Sequence, residues 1–178
     1  MTCITTTIIG LYLSPEPHQP NSAVHQLELD PRGGVIGDSH GGTVIYDPEE
    51  GIIPNPRQFT IVSPTELAEI AAALRVPFID PVWLSANIVL SDIDKLTTTL
   101  IPGTRLLDAT GQPILEIKGI TEPCLDMGKR LAELLPLHQL DAKRFPKLAY
   151  NKRGVHGLVL ESTVLHIYDT LTVVLPEK

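Results

Sequence analysis

Apolar positions along this chain fall into short runs broken by proline and glycine, with one long helical stripe among them. Residues 3–13, CITTTIIGLYL, are rich in Thr and Ile and predict a strand. Residues 14–22 carry Pro15, Pro17 and Pro20 and read as a loop. Residues 23–30 place Val24, Leu27 and Leu29 in a second strand, which Pro31-Arg32-Gly33-Gly34 then turns. Residues 47–56, DPEEGIIPNP, read as another breaker-rich loop before Arg57 to Val62 resumes a strand. The clearest helix starts at Ser63, with Pro64 at its first position and Glu66 three residues after the cap, a capping box. Leu67, Ile70, Ala71 and Leu74 recur at helical spacing and predict one buried face. Strand-like runs return at 87–90, 104–107, 114–121, 155–160 and 170–175, and LDMGKRLAELL (125–135) predicts a second helix in spite of Gly128. The pattern shows no βαβ alternation, no repeat and no dividing linker. Short strands with turn signals and a few short helices predict one mainly β domain, residues 1–178, closed into a β-barrel.

Composition narrows the function classes. An apolar fraction of 43% and a charged fraction of 20% suit a soluble globular chain. Aromatic residues at 4% are too few for a base-stacking platform, and a net charge of −7 opposes a phosphate-backbone partner, so no nucleic acid is expected. No apolar run reaches the length of a membrane span, and no membrane partner is expected. Cys3 and Cys124 cannot form a disulfide framework, which implies a reducing compartment and a cytoplasmic protein. Basic residues are concentrated: Lys129, Arg130, Lys143, Arg144, Lys147, Lys152 and Arg153 are opposed only by Glu133 and Asp141. This stretch reads either as a solvated face or as an anion site.

Cys124 is the main candidate for chemistry. It follows a strand-like run and Pro123, and precedes the second helix. A cysteine at a helix start faces unpaired backbone N–H groups and the positive end of the dipole, which favour thiolate, whereas Glu122 opposes it. The competing expectation is a small buried hydrophobe. Cys3, in an apolar strand, is expected to react far more slowly. Gly33 to Gly42 holds five glycines around Asp38 and His40. Its spacing matches neither a dinucleotide fingerprint nor a phosphate loop. Asp38 and His40 lack a third metal ligand, so a structured turn whose polar side chains line a pocket is the reading adopted. Arg153 suits anion recognition, and Gly154 allows close approach to the backbone. His156 reads as a structural, satisfied histidine, and His18, His25, His138 and His166 as structural.

Three blocks in order resemble the MOSC domain, named for the C-terminal domain of molybdenum cofactor sulfurases. Gly37-Asp38-Ser39-His40-Gly41-Gly42 is similar to the family's Gly-Asp-x-His-x-Gly segment, followed by a strand opening at Arg57-Gln58. Cys124 after a strand and proline is similar to the family's functional cysteine, and Arg153-Gly154-Val155-His156-Gly157 to its Arg-Gly segment. Two departures stand out. The family's Gly-Glu-Asn triplet corresponds to Ser85-Ala86-Asn87, which keeps the asparagine and lacks the acid, and its final Gly-Asp turn corresponds to Tyr168-Asp169.

The resemblance implies a MOSC-type barrel and a role in sulfur or molybdenum-cofactor chemistry. Under a first reading Cys124 bears a persulfide received from a pyridoxal-phosphate-dependent cysteine desulfurase, so pyridoxal phosphate enters through a partner. Under a second, Cys124 ligates molybdenum in a pterin cofactor, with a separate reductase as partner and N-hydroxylated compounds as substrates. There Lys129, Arg130, Lys152 and Arg153 are candidates for the pterin phosphate. A third reading is a binding module without turnover. In all three, Gly37, Asp38, His40, Gly41, Arg57, Asn87, Arg153 and Gly154 are the candidate pocket residues.

Overall fold

A computed structural model describes residues 2–16 and 21–177. His18 therefore lies outside the described residues. Among the described residues thirteen strands form in chain order: β1 (Cys3–Leu13), β2 (Ser22–Ala23), β3 (Gln26–Asp30), β4 (Gly34–Val35), β5 (Val44–Asp47), β6 (Gly51–Pro54), β7 (Phe59–Val62), β8 (Ile88–Leu90), β9 (Arg105–Leu107), β10 (Pro113–Ile120), β11 (Val155–Val159), β12 (Thr163–His166) and β13 (Thr170–Val174). The helices are α1 (Pro64–Leu74), α2 (Leu96–Thr99), α3 (Leu125–Leu134) and α4 (Phe145–Leu148).

The main sheet runs β13-β9-β10-β11-β7-β8-β1, and β13 pairs back onto β1, from Cys3 opposite Val174 to Thr7 opposite Thr170. That pairing closes a barrel, as the strand-and-turn pattern predicts, and leaves its seven strands no free edge. The interior is filled by Ile8, Leu11, Phe59, Ile61, Ile88, Leu90, Leu115, Ile117, Val155 and Val173, each 1% exposed or less. A second core lies outside the barrel wall, where α1, α3 and α4 cover β7 and β8. It contains Val62, Ile70, Leu84, Val89, Leu131 and Phe145. Ile61 and Val62, like Ile88 and Val89, thus point into opposite cores, so both strands are apolar on both faces there, with Thr60 the one polar position.

The structure corrects the sequence reading at three points. β7 and β8 are parallel and joined through α1, so one βαβ crossover exists where the pattern suggested none. A single unit does not alternate, and periodicity therefore does not reveal it. Second, the expected loop at 47–56 is half of a hairpin, with β5 paired to β6 from Val44–Pro54 to Asp47–Gly51. Its Asp47-Pro48-Glu49-Glu50 is the turn, where Asp47 Oδ1 accepts the backbone N–H groups of Glu49 (2.8 Å) and Glu50 (2.9 Å). Third, the capping box is only half formed. Ser63 Oγ accepts the Glu66 N–H at 3.2 Å, but the Glu66 carboxylate does not reach back. It turns inward, 3% exposed, and accepts the Thr97 N–H (2.9 Å) and hydroxyl (2.7 Å) at the start of α2.

The two departures from the family pattern fall on left-handed backbone. Ser85 has φ 55° and Tyr168 φ 75°, where the family's glycines would carry no steric penalty. Gly128 has a different reason. A Cβ there would collide with the Ala142 carbonyl oxygen, so the glycine lets α3 press against the 142–144 turn.

Candidate functional site

Three chain segments converge beyond one end of β7. The first is the loop 38–42, held by Asp38. Its carboxylate is 2% exposed and fully engaged. Oδ2 accepts the Ser14 N–H (3.0 Å) and the Asn87 amide (2.9 Å), and Oδ1 accepts the His40 N–H (2.9 Å) and lies 3.2 Å from His40 Nδ1. Burial raises its proton affinity, but the His40, Ser14 and backbone hydrogen bonds outweigh it and leave Asp38 below the usual carboxylate range. Asp38 thus stays an anion with no lone pair free for a metal. Among the described residues no group of three or more His, Cys, Asp and Glu side chains could hold one. Asn55 closes the loop from behind, donating to the carbonyls of His40 (3.1 Å) and Gly42 (3.2 Å) and accepting the Arg57 N–H at 2.9 Å.

Asn87 is the tie between segments. Its Oδ1 accepts the Thr60 N–H of β7 at 3.0 Å, while its amide donates to Asp38 and to the Tyr12 carbonyl at 3.4 Å. The side chain is 4% exposed, and its donors and acceptor are all engaged within the fold. Its contribution is therefore to position the cleft wall, which explains why the asparagine of the triplet stands here without the acid.

The third segment joins the end of β10 to the start of β11. Thr121 N–H donates to the Gly154 carbonyl at 2.8 Å, which sets the peptide leading to Cys124 beside Arg153. Gly154 has φ 89°, and a Cβ there would overlap the Ile61 carbonyl oxygen. The space left by its missing side chain is filled by the backbone of β7, and Gly154 does not line the cleft. Its N–H donates to Thr97 Oγ1 at 2.8 Å, so Glu66, Thr97 and Gly154 form a buried chain behind the arginine.

Cys124 is exposed, which overturns the buried-hydrophobe alternative. It occupies the N-cap of α3, and its side chain makes no capping bond. Cys3, expected to react more slowly, is exposed as well, at the start of β1.

A cleft of about 200 Å³ is lined by His40, Arg57, Thr60, Ser85, Asn87, Thr121, Met127 and Arg153. Its floor is Arg153, 7% exposed. One Nη2 N–H donates to the Leu84 carbonyl at 2.8 Å, whereas Nε and Nη1 have no partner among the described residues. Burial lowers its pKa to about 10; the charge of Cys124 works against that shift, and Arg57 adds to it. Thr121 Oγ1 and His156 Nδ1 are also buried without partners among the described residues. His156 is 8% exposed, and its pKa falls to about 4 through burial and then Arg57, opposed by the Ile120 backbone. It is structural in its burial, as expected, but its ring is not satisfied.

Of the sequence candidates, His40, Arg57, Asn87 and Arg153 line the cleft, Asp38 supports it, and Gly37 and Gly41 shape the loop. The basic segment does not converge. Lys129 pairs with Asp126 (3.0 Å) and Lys152 with Glu69 (2.8 Å), and neither lines the cleft. Thr60, Thr121 and Met127 carried no signal, since an isolated hydroxyl or methionine gives none until strands bring it to a rim, and Ser85 entered only as the first residue of the altered triplet.

These features define a closed β-barrel with an exposed thiol beside a cationic, undercompensated cleft. The chain belongs to the MOSC domain family, whose model matches residues 37–172. It is 30% identical over 177 residues to YuaD of Bacillus subtilis (strain 168), whose name provisionally assigns that protein to metal-sulfur cluster biosynthesis; the match covers 96% of this chain and 91% of YuaD. The crystal structure of YuaD superposes with a TM-score of 0.87, covering 97% of each chain. YiiM from Escherichia coli, 12% identical, shares the fold with a TM-score of 0.58 over 96% of this chain and 71% of its own. Among the described residues no helix is long and apolar enough to cross a membrane.

Proposed function

We propose that this protein is a sulfur carrier in which Cys124 bears a persulfide. The observation that supports it is the exposed, uncapped thiol at the start of α3, which lies outside the cleft lining but close enough for its charge to act on the buried Arg153. The Cys124 thiolate attacks the outer sulfur of a persulfide on a donor protein. A new S–S bond forms on Cys124, the donor's S–S bond breaks, and the donor leaves as thiolate. The donor is a cysteine desulfurase, which keeps its pyridoxal phosphate. A reducing cytoplasm keeps both thiols of this chain available. The name of YuaD, tied to metal-sulfur clusters, supports a downstream acceptor of that kind.

The test is intact-mass measurement after incubation with cysteine and a desulfurase. Wild type gains one sulfur atom and Cys124→Ala gains none at that position. Equal gain by both proteins would overturn the assignment, and Cys124→Ser binding and functioning like wild type would favour a binding module without turnover.

The unpaired donors of Arg153 also support a second reading, a molybdenum–pterin site. The donor set fits the phosphate of such a group, with Arg153 and Arg57 to hold it and Cys124 as a soft ligand. When bound, the group would supply two-electron transfer. The cleft of about 200 Å³ is below the roughly 300–1,000 Å³ common for larger ligands, which favours the carrier reading. Molybdenum and pterin analysis of protein from a cofactor-producing host decides between the two.

A further inference from the structure

The guanidinium of Arg153 has no carboxylate partner among the described residues, although it is one of the most buried charged groups of the chain. Three carboxylates around the cleft are already engaged, and Glu122, next to Thr121, is exposed and forms no ion pair with Arg153. Asp38 is held by Ser14, His40 and Asn87, Glu66 by Thr97, and Glu69 by Lys152. Arg57 at the same cleft adds a second positive charge, and His156, neutral near pH 7, removes none. A buried cation with free donors is costly unless an anion completes it. The unpaired hydroxyl of Thr121 adds a further donor in the same wall. A cavity of about 200 Å³ holds a small oxyanion and a few waters, at about 30 Å³ per water.

We propose that this cleft binds small sulfur oxyanions, and that sulfite accepts the outer sulfur of a Cys124 persulfide and leaves as thiosulfate. The transfer step rests on the persulfide reading above, whereas the anion site does not. Sulfite is singled out among oxyanions because it is also a nucleophile toward sulfane sulfur. Its sulfur lone pair attacks the outer persulfide sulfur, forming the S–S bond of thiosulfate. The bond from Cys124 Sγ to that sulfur breaks, its electron pair stays on Sγ as thiolate, and the persulfide proton goes to solvent. No outside oxidant or reductant is needed. In reverse, the Cys124 thiolate takes the outer sulfur of thiosulfate and releases sulfite. Arg153, Arg57 and Thr121 bind the oxyanion, and Cys124 exchanges the sulfur.

Binding is measured first, with thiosulfate titrated calorimetrically into Cys124→Ala, which keeps the cleft and cannot react. Adding Arg153→Met or Arg57→Ala should weaken binding at least tenfold, and Thr121→Val several-fold, with melting curves confirming a folded protein. Thiosulfate bound equally well by Cys124→Ala with and without the Arg153 and Arg57 substitutions would overturn the site. Transfer is then read by intact mass and sulfite release from wild type mixed with thiosulfate. One sulfur gained per sulfite released supports the step; binding without sulfur gain overturns it. Desulfurase loading run in parallel separates the failures. If the desulfurase loads Cys124 and thiosulfate does not, this inference falls while the carrier reading stands; if neither loads it, both fall.

Discussion

Replacing Arg153 by methionine should make the protein more stable while removing its anion site. The stem of the side chain packs in a wall that methionine can fill at similar length, so no large cavity opens. The pKa of Arg153 is lowered from the ordinary arginine range to about 10, and the largest cause is burial. At 1.36 kcal/mol per pKa unit, that drop corresponds to roughly 3 kcal/mol against the charged form, in force at every pH below about 10. Methionine removes this cost. It also removes the hydrogen bond to the Leu84 carbonyl, leaving a buried acceptor unpaired at a cost of about 1–2 kcal/mol. The balance is a gain of about 1–2 kcal/mol, in line with the general behaviour of buried charges replaced by apolar groups.

Urea unfolding at neutral pH measures this directly. For a chain of this length the gain corresponds to a melting temperature higher by about 2–8 °C, at roughly 2–4 °C per kcal/mol. Thiosulfate sharpens the test. At about a hundredfold its Kd it should add roughly 2.7 kcal/mol to the wild type and nothing to the variant, reversing their order. A variant less stable than wild type by more than about 1 kcal/mol without anion would refute the reasoning, because the Leu84 anchor would then outweigh the buried charge.

Two further predictions concern the surroundings of the cleft. His156 has a folded pKa of about 4 against 6.5 unperturbed, so the unfolded chain takes up its proton first as pH falls. Stability should therefore drop by about 2 kcal/mol between roughly pH 7.5 and 5, and His156→Phe should flatten that limb in urea titrations; an unchanged slope would refute the assignment to this ring. Thr97→Val leaves both the Glu66 carboxylate and the Gly154 N–H short of a buried partner, and should cost about 2–4 kcal/mol by urea unfolding. A loss within about 0.5 kcal/mol would show that the Glu66–Thr97–Gly154 chain does not hold the floor of the cleft.

The barrel was legible because each wall strand declares itself locally. β1 matches residues 3–13 to the residue, and the period of two in β3 places Leu27 and Leu29 inside. The hairpin of β5 and β6 was not legible. Val44, Tyr46 and Ile52 are 55%, 76% and 74% exposed, so no buried face imposes alternation, and the turn residues dominate the pattern. Glu66 shows a different limit. A glutamate three residues after a serine cap reads as a capping partner, but Thr97, 31 residues away, offers two buried donors, and the tertiary partner wins.

The same limit applies to the site and explains which basic residues matter. Clustering in sequence singled out Lys129 and Lys152, yet both meet carboxylates at the surface, where an ion pair adds little and leaves no charge to spare. Arg57 comes from another segment altogether, and its role depends on β7 lying beside β11. Ion pairing is decided by neighbours in space, so the number of basic residues in a segment says little about the charge left over. What sets Arg153 apart from the other basic residues is that it is buried in the cleft wall, next to the turn where Gly154 has φ 89°, with no carboxylate partner among the described residues. A protein that only needed a stable barrel would gain by losing that charge. Its presence beside an exposed thiol is therefore the strongest physical argument that the thiol works on an anion.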